Sequence, residues 1–134
     1  MKQAIVLLLT MLFASACSNL HERPLTLEEH LQKRELTKDE PVKRINRFML
    51  SNYHYIDARH MIVHVGVSRQ YLLEFAFDCH DLEHAQVIEV QAQGPGLSTL
   101  DKMSARSASG SQVRCPIKTI YPLLPADTAN SKDG

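Results

Sequence analysis

The sequence predicts an α+β fold: a small single domain, mainly antiparallel β-sheet with one short helix between the third and fourth strands, preceded by a signal peptide and a short helical tether. Three observations point there. Apolar and polar residues alternate through Met61–Val65, Tyr71–Phe77, Ile88–Ala92 and Val113–Ile117, the period of strands with one buried face. Gly94-Pro95-Gly96 and the small-residue stretch 107–111 punctuate these runs as turns. Between Phe77 and Val87 the alternation stops. Asp78 to Ala85, acidic at its start and without a β-branched residue, reads as one or two helical turns.

Composition bounds the function classes. The chain has 134 residues, with 15 Lys+Arg against 15 Asp+Glu, so no basic excess exists to neutralise many phosphates, and nucleic acid is not an expected partner. A polybasic membrane surface is excluded on the same ground. At 22% charged and 44% hydrophobic the chain is of ordinary globular composition, enough for one domain once a leader is removed.

Residues 1–16 have the layout of a secretory signal peptide: Lys2, the apolar run Ala4 to Phe13, then Ala14-Ser15-Ala16. As a helix that run is about 15 Å long at roughly 1.5 Å per residue, half the roughly 30 Å of a hydrocarbon core, so it is too short for a lasting transmembrane anchor. Cys17 follows directly, and Phe13-Ala14-Ser15-Ala16-Cys17 resembles a bacterial lipobox. The resemblance implies cleavage before Cys17, diacylglycerol on its thiol and acylation of the new amino group. Several acyl chains at about 0.8 kcal/mol per buried CH₂ hold a protein more firmly than one. The alternative is an ordinary A-x-A cut that releases a soluble protein. Ser18, where Asp would mark inner-membrane retention in enteric bacteria, makes the outer membrane the implied destination and the periplasm the implied location of the domain.

The three cysteines fit that compartment. With Cys17 lipidated, Cys79 and Cys115 remain as an even pair that an oxidising periplasm would let bridge. Two buried free thiols are the alternative, because spacing does not show proximity.

Residues 17–40 read as a tether. Thr26-Leu27-Glu28-Glu29 has the form of a capping box and starts a short helix with Leu27 and Leu31 on one side. Its many charges, among them Lys33, Arg34, Glu35 and Lys38, fit a solvated segment better than a partner-binding helix. The domain proper is expected over residues 41–124. Thr37 to Glu40 could open a second helix through Pro41, and Arg44 to Leu50 could equally be extended; both readings stay open. Strands are expected at Tyr53–Asp57, Met61–Val65 ending at Gly66, Tyr71–Phe77 as a central strand, and Val87–Gln93. Weaker Leu100–Arg106 and a final Val113–Ile120 complete the set. Pro116 places that last strand at an edge or at a bulge. Residues 125–134, polar and small, read as a disordered tail.

In this order, Ile56-Asp57, Met61-Ile62-Val63-His64-Val65, Tyr71-Leu72-Leu73, Cys79 with Leu82 and Ala85, Ile88, Asp101-Lys102-Met103 and Cys115-Pro116-Ile117 resemble an uncharacterised family of small proteobacterial envelope lipoproteins, a domain of unknown function. The likeness spans Val42 to Leu123, and its most specific element is the paired cysteines. It implies fold and location and supplies no activity and no catalytic residues.

Candidate chemistry is sparse. His80-Asp81-Leu82-Glu83-His84 matches H-x-x-E-H, and on a helix His80 and His84 would share one face and could share a metal. A peptidase would also need a third ligand and a cleft, so a surface histidine pair is the plainer reading. His60 and His64 point the same way on a strand, about 13 Å apart at roughly 3.3 Å per residue, too far for one ion. Together the four histidines could make a pH-responsive or metal-sequestering face. Ser104, Ser107, Ser109 and Ser111 lack a G-x-S-x-G elbow, and Gly94-Pro95-Gly96 lacks phosphate-loop spacing, so neither a catalytic nucleophile nor a cofactor is implied. Arg106, Arg114 and Lys118 read as a solvated strand face. The expected function is therefore that of a non-enzymatic outer-membrane lipoprotein. It would sit on the membrane through Cys17 and contact an envelope protein as an interaction or maintenance module, with a periplasmic metal-binding protein using His80 and His84 as the alternative.

Overall fold

The computed structural model describes residues 23–129. Helix α1 (Leu27–Lys33) comes first, and its capping box forms as the sequence predicts: Thr26 Oγ1 accepts from the Glu29 N–H at 3.3 Å while Glu29 Oε2 accepts from the Thr26 N–H at 2.7 Å. Nine strands follow: β1 (Leu36–Lys38), β2 (Arg44–Asn46), β3 (Leu50–Asp57), β4 (His60–Val65), β5 (Arg69–Phe75), β6 (Val87–Gln91), β7 (Gly96–Ser98), β8 (Lys102–Arg106) and β9 (Gln112–Pro125). A four-residue helix, α2 (Ala126–Ala129), closes the described chain. The molecule is a small single domain, mostly antiparallel sheet.

Seven strands form one sheet in the order β3-β4-β5-β9-β8-β6, with β1 also on β9. Strand β9 is its spine: residues 112–116 pair with β8, residues 117–123 pair with β5, and Leu123 to Pro125 pair with β1. The strand expected at an edge or a bulge is interior and bulged. Register slips at Lys118, between the pairs Phe75↔Ile117 and Glu74↔Thr119. Pro116, in the last β8 pair with Lys102, places its missing N–H where that ladder ends.

Both faces of the sheet are covered, and this is why β4 does not read as half-buried. On one face Met61, Val63, Val65, Leu73, Phe75 and Ile120 pack with Cys115, Leu82 and the small β2–β7 ribbon, through Ile45 and Leu97. Gly96 in that ribbon is required by close approach, because a Cβ there would run into the Ile45 carbonyl. On the other face Ile62, Leu72, Ile56 and Leu123 receive Leu31 of α1.

Several expectations are corrected. The segment read as a solvated tether is, from Leu27 on, part of the domain: Leu31 is 4% exposed and β1 pairs with β9. A single hydrophobic residue per turn suffices here because the sheet offers a complementary apolar face, which a local pattern does not display. The segment 37–50 is extended, with no second helix. Between the third and fourth predicted strands stands only a 3-10 turn, His80–Leu82, in place of a helix of one or two turns. The main helix lies before the sheet. Strand β5 stops at Phe75 and leaves Phe77 47% exposed, because the chain turns off to carry Cys79 to β9. The tail is ordered at its start, since Pro125 ends β9 and the Ala126 N–H donates to Glu35 O at 2.8 Å. Strand β7 escaped the sequence reading altogether.

Candidate functional site

The most distinctive polar feature is a groove of about 210 Å³ between the C-terminal end of α1 and the β3–β4 hairpin. Strand alternation builds its floor. Register pairs His54 with Ile62 and Asn52 with His64, and Ile62 and His64 with Leu72 and Gln70, so these side chains share the face that α1 covers. Arg34, the C-cap of α1, forms the wall, and Glu35, at φ 55°, turns the chain into β1. Such a left-handed residue is uncommon outside glycine, and here it frees Arg34 to point back over the sheet.

Arg34 Nη1 donates to His30 O at 3.1 Å, capping the carbonyl end of α1, and Nη2 donates to Nε2 of His54. That second bond requires Nε2 to carry a lone pair, so His54 is neutral in this arrangement. Burial first, then the charges of Arg34, His30 and His64, hold His54 below the usual imidazole value. The groove is lined by Arg34, His54, His64, Asn52, Gln70, Tyr53, Leu36 and Ile62, with no carboxylate among them. Its chemistry is donor-rich and cationic.

A larger cleft, about 610 Å³, opens where α1, β1 and α2 meet. Glu28, Glu35 and Asp127 line it with Lys38, which already bonds Glu28 at 3.1 Å. A third, of about 410 Å³, lies beside β6 and is lined by Phe48, Val90, Ala92 and Pro95 together with Arg47.

The predicted residues are distributed otherwise than the sequence suggests. Cys79 and Cys115 are joined in a disulfide, Cα to Cα 6.2 Å, both buried. Cys17 and the leader 1–16 lie outside the described residues. The 3-10 turn ends at Leu82, so the helical spacing that would put His80 and His84 on one face is not formed, and the His84 side chain is 84% exposed. Among the described residues no group of three or more His, Cys, Asp or Glu gathers as a metal site would require. The metal-sequestering face that His60, His64, His80 and His84 could have made is not assembled: His60 contacts Asp57 Oδ1 at 2.9 Å, and of the four His64 alone enters the groove. On the strand face read as solvated, Lys118 is more than half exposed and pairs with Glu74 at 2.9 Å. Ser107, Ser109 and Ser111 bond one another in a turn, and Ser104 is buried, accepting from Gln112 at 2.7 Å.

Sequence reasoning passed over His54 and Arg34. His54 lies on the strand that the sequence predicts at Tyr53–Asp57, but only the hairpin register sets it beside Ile62 and His64, and nothing local to Arg34 shows that α1 packs on the sheet. A family model described as a family of unknown function (DUF6491) matches residues 1–133. The chain belongs to this family. No curated protein and no solved structure matches it. What distinguishes this DUF6491 chain is therefore read from its own residues: a buried disulfide on the spine strand, a cationic groove under α1, and the two ends of the main strand path, β3 and β6, each paired on one side only among the described residues.

Proposed function

We propose that the chain is an exported lipoprotein, anchored in the outer membrane through acylated Cys17, whose domain serves in the periplasm as a non-enzymatic interaction module for envelope maintenance. The observation that carries this reading is the Cys79–Cys115 disulfide, a bond that persists in oxidising compartments and is rare in the cytosol. The lipobox-like Ala14-Ser15-Ala16-Cys17 supports the anchor. For the interaction itself, β6 is the favoured edge. Its sequence Val87-Ile88-Glu89-Val90-Gln91 is rich in strand formers with a single charge, and an apolar cleft lies alongside. A partner strand added there would gain ladder hydrogen bonds and seat an apolar side chain against Phe48 and Val90.

The test is growth of the producing cells with labelled palmitate. The proposal expects label on the wild-type chain, none on Cys17→Ser, and a native mass lacking residues 1–16. Unlabelled wild type retaining Met1 would overturn the anchor and the location together. For the edge, site-specific crosslinking from Glu89 in living cells should trap one discrete envelope protein, and Val90→Lys should abolish the product; a product unchanged by Val90→Lys rules out β6 as the docking edge.

A further inference from the structure

We infer that the groove formed by Arg34, His54 and His64 is a binding site for a phosphate group, whose arrival is coupled to uptake of a proton by His54. This goes beyond the interaction reading and does not depend on it.

The groove holds cationic and neutral donors with no opposing carboxylate. Arg34 reaches in from α1, His54 from β3, His64 from β4, and the amides of Asn52 and Gln70 stand at the rim. Every group whose charge acts on His54 is basic: Arg34 and His30 from α1, and His64 across the hairpin. Glu35, the nearest acid in sequence, lines the other cleft. A guanidinium beside imidazoles repels a metal cation and suits an oxyanion, for which Arg offers paired N–H groups.

The Arg34–His54 contact supplies the coupling. In the free protein Arg34 Nη2 donates to the lone pair of His54 Nε2. A phosphate oxygen can take the Arg34 N–H, and one proton from solvent then converts Nε2 from acceptor to donor, giving the anion a second bond. The proton count balances: one taken up at His54 for each phosphate bound. The charges that disfavour imidazolium in the empty groove are screened by the bound anion, so binding and protonation reinforce each other.

The probe is inorganic phosphate, titrated into the ¹⁵N-labelled full chain carrying Cys17→Ser and followed at the imidazole nitrogens. The expected result is binding roughly tenfold tighter near pH 5.5 than near pH 7.5 relative to His54→Gln, which carries the change due to phosphate's own ionisation, with the His54 titration moved upward by saturating phosphate, since one pKa unit corresponds to about a factor of ten. Arg34→Gln should weaken binding at least about tenfold at the lower pH. His54→Gln, which keeps an acceptor for Arg34 but does not titrate, should lose the part of the pH dependence carried by His54 and keep that of phosphate's own ionisation. Thermal unfolding establishes that each variant is folded; if Arg34→Gln is not, Arg34→Lys, retaining the charge without the fork, should show the same loss in smaller degree. Arms with phosphatidylglycerol and phosphatidylcholine vesicles identify the source. Arg34-dependent retention on phosphatidylglycerol alone assigns the phosphate to a lipid headgroup, and retention on neither, with phosphate bound, to a soluble phosphate. Unmoved His54 and His64 signals near pH 5.5, or equal movement in a folded Arg34 variant, would overturn the site.

Discussion

Cys79, at the start of the 3-10 turn, is bonded to Cys115 on the spine strand β9, so one covalent link ties the 78–86 connection to the centre of the sheet across a sequence separation of 36. Leu82 and Met103 pack in the same buried cluster. The bridge thus fixes a connection that has only one turn of regular structure of its own.

Replacing both cysteines by alanine should lower the unfolding free energy by about 3–4 kcal/mol, the loop-closure entropy released to an unfolded chain no longer cross-linked over such a separation. Urea unfolding of the double variant against wild type checks this. The intact protein should also weigh two protons less than its reduced form. Identical urea midpoints with and without reductant would contradict the account.

Leu31→Ala should cost about 2–5 kcal/mol, since it leaves a cavity between α1 and the Ile62–Leu72 face and the side chain is nearly fully buried. Hydrogen exchange should show α1 amides losing protection first. A solvated tether would instead leave both stability and exchange unchanged.

Asp101 organises the loop before β8. Its carboxylate accepts from the N–H of Gln93 at 2.9 Å, and from the N–H and hydroxyl of Ser98 at 2.7 and 2.8 Å. Burial pushes its pKa up, but these bonds and Arg44 outweigh it and hold the group below 3.8. The stabilisation is therefore complete above the ordinary carboxylate value and is lost as pH falls through the lowered one. Asp101→Asn, with one acceptor oxygen fewer, should cost about 1–3 kcal/mol at neutral pH. The gap between the two proteins should narrow in acid, as followed by denaturant titration at stepped pH.

His54 gives stability a slope in the window below 6.5, above the one in which Asp101 acts. Its folded pKa is lowered from 6.5, so the unfolded chain binds the proton more readily and stability declines as pH falls from about that value toward the lowered one. Without phosphate, the thermal midpoint of wild type should drop over this window. His54→Gln should show a flatter profile there, and a profile as steep as wild type would assign the slope elsewhere.

Of the fold, the parts legible in the sequence were those written in local periodicity. The two-residue alternation placed β4, β5, β6 and the first part of β9, the capping box placed the start of α1, and the small residues around Gly110 placed their turn. Strands β1, β2 and β7 span three residues each and pair only with distant segments, too short for any period to register. The groove was half legible: His64 stood out on its strand, whereas Arg34 and His54 lie 20 residues apart and meet only because α1 folds back onto the hairpin.

By itself the sequence determined the class of the molecule, a small antiparallel sheet with cysteines at 79 and 115 and a lipobox-like start, because strand period, turn chemistry and residue identity are local properties. Only tertiary structure decided that β9 is the spine, that the apparent tether is a cover for the second sheet face, and that a cationic groove takes the place of a histidine pair. Those outcomes depend on which distant surfaces bury one another, and burial is a property of the whole chain.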